Sequence, residues 1–420
     1  MENLNTEEKK VEETTKRNFI LLTIAIFLGY LLFGLSENVK GPAIPRMQTD
    51  LNIDEFQVGL LLAINALGYL IACGYTAKLA RKIGLRLALV ICLVIIAISG
   101  IFICYAPSFI MLCLAFFIMY LANGMLEITL GIIAATFFTK RTGTMLNISH
   151  FFYGIGSAVG PMIGATLMVT QINNTTLGWR YMYLIVMACA LIPLIPALIG
   201  RLGGRADNPV KGEYRNHLKH PAAWLVIIIL AFGGFAEMAI GGWLVNYMEK
   251  ANGFTTTNAA FVLTMFFTVF TFTRLVVGPL VDKFGCVISL LVFSAFSTIT
   301  LCAGIMLGAS GTVLIVLSGI GTAPLYPTVF AVVAKLYRET IDSAMTVTLT
   351  AMGIISLPFN LIIGVIVDTA KGIFIPVHGA EVGLGMAFTT GMYFIVLCFV
   401  VTFVACLILF NILRKKGNLV

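Results

Sequence analysis

Mostly apolar stretches of about 20 residues recur from one end of this chain to the other. They fall near 18–40, 57–79, 85–105, 108–137, 146–170, 178–200, 222–248, 258–281, 286–307, 311–336, 343–369 and 383–413. Some 20 apolar residues at 1.5 Å rise are what a helix needs to cross the hydrocarbon core of a bilayer. A backbone in lipid must satisfy its own hydrogen bonds, so these stretches are read as helices. The apolar-polar alternation of barrel strands is absent. Composition agrees, with 59% hydrophobic and 11% charged residues and a mean hydropathy of +1.00. Soluble domains carry about 25% charged residues. The expected fold is an all-α membrane protein of about twelve transmembrane helices.

Charge sets the expected topology. Most of the 27 Lys and Arg residues fall in alternate loops, which the excess of positive charge on cytoplasmic faces makes cytoplasmic. Only Arg46, Arg180, Lys250 and Lys371 fall in the intervening loops, while Lys40 and Arg274 lie within or at the end of spans. Both termini are thus expected in the cytoplasm of a cell membrane, most simply a bacterial inner membrane. The net charge of +8 reports this topology and needs no nucleic-acid partner. The lipid bilayer is the partner the composition requires. Residues 1–17 mix acidic and basic side chains and precede too long an apolar stretch for a signal peptide; they are read as a cytoplasmic tail, disordered or a frayed helix. The nine cysteines lie in or beside apolar stretches with no C-x-x-C spacing, so neither a disulfide framework nor a metal site is expected.

The longest internal polar stretch, 201–221, is basic and glycine-rich, and divides the chain into an N-terminal bundle (18–200) and a C-terminal bundle (222–413), with a short tail at 414–420. The bundles echo each other at an offset near 200 residues. Gly34-Leu-Ser-Glu37 matches Gly234-Phe-Ala-Glu237, and Ala77–Gly84 matches Gly278–Gly285; Gly156–Pro161 is loosely matched by Gly353–Pro358. Two parallel six-helix repeats are the expected architecture.

The run GPLVDKFG at 278–285 resembles the signature loop of the major facilitator superfamily. The resemblance implies a conformational latch built from Gly278, Asp282, Lys283 and Gly285, with Arg274 one turn away as a possible member. In the first half the pattern is degraded, with Arg81 in the Asp position. Gly178-Trp-Arg-Tyr181 also resembles a superfamily element, read as structural.

Ionisable groups at membrane depth are expensive, and are functional candidates by default. They are Glu37 and Lys40, three apart on one helix face; Glu127; His150; and Glu237. Glu37 and Lys40 can equally pair with each other, and Glu127, His150 and Glu237 can be satisfied structural residues. Spans 4 and 5 (ANGMLEITL…MLNISHFFYGIGSAVGP) and the span-10 run Pro324-Leu-Tyr326-Pro327-Thr328 resemble the fucose permease and glucose/mannose permease family of proton-sugar symporters. That resemblance implies a sugar and proton role for Glu127 and a binding role for Asn147. Two further polar positions of the family are His150 and Tyr153 here, and its proton-carrying Asp of span 1 is Gly41. Trp243, Asn246 and Tyr326 are of types that suit sugar binding, although aromatic residues also anchor spans at the interface. The expected activity is secondary active transport of a small solute, a hexose or deoxyhexose coupled to a proton, with no cofactor and no chemistry done on the solute. The alternatives are a proton-antiport exporter of drugs or metabolites on the same fold, and a transporter-like nutrient receptor.

Overall fold

The computed structural model describes residues 2–138, 142–200, 218, 220–337 and 341–415. The expected linker lies almost wholly outside the described residues, as do the tail beyond 415 and the side chains of 2–16. Residues 2–17 continue the first span as helix, Glu2–Asn38.

Among the described residues, twelve helices are long and apolar enough to cross a membrane: Arg17–Leu51, Glu55–Ile83, Leu85–Cys104, Phe109–Ala134, Ile148–Val169, Gly178–Ile199, Pro221–Asn252, Thr256–Phe284, Cys286–Met306, Gly308–Leu336, Ala344–His378 and Ala380–Lys415. They are called spans 1 to 12. An even number of crossings puts both termini at one end, the termini end. Turns such as Asn52 and Gly253 lie at the opposite, far end. Local chemistry sets many boundaries. Asp54 and Gln57 form a capping box that starts span 2, and Ser108 and Thr255 cap spans 4 and 8. Gly84 and Gly285 close spans 2 and 8 at φ 89° and 88°, so the repeated loops turn in the same way.

Span 1 extends to Leu51, eleven residues beyond the apolar stretch, because a second helix, Lys40–Leu51, follows a break at Val39. Pro42 has no N–H to bond the Asn38 carbonyl one turn back, which accounts for the break. Span 10 breaks between Thr312–Thr322 and Leu325–Leu336 at Pro324, and span 11 breaks before Pro358. A two-residue ladder, Gln171–Ile172 with Thr175–Thr176, lies in the loop after span 5.

Small residues let the spans approach. A Cβ on Gly34 would fall 2.0 Å from the Tyr153 carbonyl, and one on Gly156 2.1 Å from the Leu31 carbonyl, so spans 1 and 5 pack backbone to backbone. Spans 2 and 4 do the same through Gly68 and Gly124. The Gly178–Tyr181 element is structural. Trp179 donates to Asp50 at 2.6 Å, and Arg180 donates to the carbonyls of Cys104 and Ala106.

Candidate functional site

The halves meet along a seam that runs from the far end to mid-membrane. At the far end Arg46 pairs with Glu249 at 3.0 Å, and Asn246 donates to Gln48 at 2.9 Å. Gln48 donates to Glu55, whose carboxylate also takes Lys371. Lys371 reaches Asp368 at 3.1 Å, and Asp368 accepts the backbone N–H of Phe56 at 3.0 Å. A side chain of span 11 thus caps the N-terminus of span 2 across the interface, where an anion is favoured. Gly59 and Gly364 bring the two backbones together: a Cβ on either would lie 2.5–2.6 Å from a carbonyl of the other span. The seam continues to Gly154 against Thr271 and Gly353 against Leu70, near mid-membrane. Toward the termini end, a Cβ on Gly74 or Gly278 would have nothing within 4 Å.

Where the packed seam stops, polar groups of both halves converge. Glu127 of span 4 accepts a hydrogen bond from Tyr69 of span 2, and is partly exposed. Tyr326, at the start of the lower segment of span 10, lies within electrostatic reach of Glu127, Glu237 and Arg274. Tyr153 is in reach of Glu37 and of the same three charges. Glu237 of span 7 pairs with Arg274 of span 8 at 3.6 Å. The His150 ring lies 5.1 Å from the buried Tyr30 ring; His150 itself is exposed and in reach of Arg274. One cation therefore stands among two carboxylates and four tyrosines, across the interface between halves. This arrangement can bind a solute rich in hydroxyl groups and can exchange a proton at a carboxylate. An apolar cleft of about 380 Å³ (Leu60, Ile64, Phe109, Cys113, Phe117) lies away from it and offers no polar group.

Not every candidate residue belongs here. Glu37 and Lys40 pair with each other and are almost fully buried; Tyr120 closes the pair, accepting from Lys40 at 2.9 Å and donating to Glu37 at 3.3 Å. Trp243 is 2% exposed and donates to Asn360 at 3.3 Å, so it is core. Asn246 belongs to the far-end seam. The side chain of Asn147 lies outside the described residues. Arg274, a possible member of the latch, pairs with Glu237 of span 7. Asp282 and Lys283 are exposed, and Gly278 is unpacked. Gly41 packs 2.9 Å from the Gly241 carbonyl when given a Cβ, which explains why a larger acidic residue has no room there.

The sequence reading missed Tyr69 and Tyr30 in the site, and Gln48, Glu55 and Asp368 in the seam. Gly68 and Gly124 were the available signal for Tyr69, since small residues mark where spans 2 and 4 touch. The seam charges sit at span ends, where they read as ordinary loop charges.

The family model described as Major Facilitator Superfamily matches residues 26–359. The chain belongs to this superfamily. Among curated proteins it is similar to the phosphoglycerate transporter protein of Salmonella typhimurium, 26% identical over 48% of this chain and 43% of that one. It is also similar to the glucose/galactose transporter of Brucella abortus, 22% identical over 59% of this chain and 64% of that one. Each match thus spans less than two thirds of the relative. Among solved structures, a bacterial homologue of the human lysosomal transporter Spinster, inward-facing and unoccupied, superposes with a TM-score of 0.78 at 18% identity, covering 94% of this chain and 98% of that one. The E. coli fucose:proton symporter superposes with a TM-score of 0.60 at 17% identity, covering 93% and 98%. These likenesses show the fold: a multi-pass membrane protein of two six-helix halves.

Proposed function

We propose that this transporter carries a hexose or deoxyhexose together with a proton, with Glu127 as the proton-exchanging group. The observation that carries the reading is the place of Glu127: at membrane depth, at the meeting of the halves, held by a tyrosine hydroxyl rather than by a cation. A carboxylate there is costly to bury when charged, so protonation together with solute binding lowers the cost of changing state. Tyr69, Tyr153, Tyr326 and His150 supply hydroxyl and imidazole partners and ring faces for a sugar. The sugar assignment is also supported by the glucose/galactose relative.

With basic loops cytoplasmic, the termini end is the cytoplasmic side and this state is open inward. The loop Gly278–Gly285 then serves as the latch of the opposite state, closing when the far-end seam opens. No bond of the solute is made or broken.

A second reading is favoured by one observation: Arg274 is engaged by Glu237, so among the described residues no cation bonds Glu127, and a cationic compound could take that place in a proton antiporter. One experiment separates the two. De-energised vesicles containing the protein are placed in weakly buffered medium, and hexoses, deoxyhexoses and lipophilic cations are added singly. External alkalinisation with a sugar, absent in Glu127→Gln, supports symport. Acidification with a cation supports antiport. Sugar uptake with no pH change, equal in Glu127→Gln, removes the proton role.

A further inference from the structure

Pro327 has no backbone N–H, so the carbonyl of Ala323, four residues earlier in span 10, loses its helical donor. In lipid an orphaned carbonyl must find another partner. It finds Arg274: the Nε–H of span 8 donates to the Ala323 oxygen at 3.1 Å. The same guanidinium lies 3.6 Å from Glu237 of span 7 and 4.1 Å over the ring of Phe270. One side chain thus joins spans 7, 8 and 10 at the point where span 10 breaks. Tyr326 stands three residues past the bonded carbonyl, on the first turn of Leu325–Leu336, which runs from the site to the termini end. An arginine has five N–H donors in a rigid fork, so it can hold a carbonyl and a carboxylate at once; a lysine offers a point charge.

We infer that Arg274 is the positioning residue of the span-10 hinge: it fixes the bend at Ala323–Pro327, and through it the placement of Tyr326 and of the lower segment that closes the termini end. This rests on the transport reading for its consequence, but not for its geometry. Solute or proton arriving between Glu127, Glu237 and Tyr326 competes for the guanidinium. Loosening its hold on Ala323 then frees the lower segment to move.

The test uses the full chain in lipid nanodiscs and needs no solute. Hydrogen–deuterium exchange is read on peptides covering 320–336 in the parent, Arg274→Gln, Arg274→Lys, Pro327→Ala and Arg274→Gln with Pro327→Ala. Alanine at 327 restores the N–H, so the helix satisfies Ala323 by itself. Expected is an exchange rate raised about tenfold or more in Arg274→Gln and partly in Arg274→Lys, and returned to within about twofold of the Pro327→Ala value in the double variant. Unchanged exchange in Arg274→Gln overturns the inference. So does a loss in Arg274→Gln that alanine at 327 does not rescue, which marks a general packing role. Uptake of labelled D-glucose gives the functional arm: Arg274→Lys is expected to lower maximal rate about tenfold with KM within threefold. If the parent moves no hexose, the transport reading falls while the exchange measurement still decides the hinge.

Discussion

Glu127 and the Glu37–Lys40 pair are carboxylates on neighbouring spans with opposite fates. Glu37 has its own cation three residues away and a tyrosine across them, so it is neutralised within the fold. Glu127 accepts from the Tyr69 hydroxyl and, among the described residues, is bonded by no cation. Substitution Tyr69→Phe removes that donor and is expected to weaken sugar binding about tenfold, near 1.4 kcal/mol, measured as KM for uptake. Removing one member of the closed pair leaves a buried unpaired charge, at a cost of about 3–5 kcal/mol. Glu37→Gln or Lys40→Met alone is thus expected to lower the melting temperature of the purified protein clearly, and the double variant to recover most of the loss. Equal melting temperatures in all three would place the pair in contact with water and return it to the site.

At the scale of elements, breaks and small residues carry the argument. Gly34 admits the backbone of span 5 at Tyr153 and Gly156 that of span 1 at Leu31, whereas the repeat partner Gly234 has nothing within 4 Å of a Cβ. Gly156→Val is expected to separate spans 1 and 5 and to cost folded yield, while Gly234→Ala is expected to leave both yield and melting temperature unchanged; size-exclusion profiles of the detergent-purified variants check this. The repeat is therefore exact in its turns, at Gly84 and Gly285, and inexact in its packing. The first half pairs its span-1 Glu37 within the same span, with Lys40, whereas the second half pairs Glu237 with Arg274 of the next span.

For the whole molecule, the far-end seam is where ion pairs and close backbone contacts hold the halves together. Asp368 caps the first turn of span 2 across the halves and holds Lys371 within span 11, and Lys371 in turn pairs with Glu55 across the halves. Asp368→Asn and Lys371→Met are each expected to shift the population toward far-end opening about fivefold to tenfold, a change of about 1–1.4 kcal/mol. Spin-label distances between positions 54 and 377 check the shift: a longer-distance population should grow in both variants. A wider seam should also raise the rate of far-end labelling of a cysteine at position 48. Distances that stay at the parent's values would assign closure to the Gly59–Gly364 contact alone, with Gly364→Leu the variant that opens it.

Span number, the two-half repeat and the depth of Glu127 and Glu237 could be read from the sequence because lipid imposes them locally. A crossing needs its length of apolar residues wherever its neighbours lie, and an embedded charge stands out against that background. The tight turns at Gly84 and Gly285 were equally local. Partnership was not. Whether Glu37 meets a solute or Lys40, whether Arg274 serves the latch loop or Glu237, and whether Trp243 and Asn246 face a sugar, the core or the other half, all depend on which faces two helices turn toward each other. A uniformly apolar span carries little periodic signal to fix its rotation. That rotation is settled by close contacts such as Gly34 with Tyr153 and Gly59 with Gly364, between residues far apart in the chain, and so only the tertiary structure decided it.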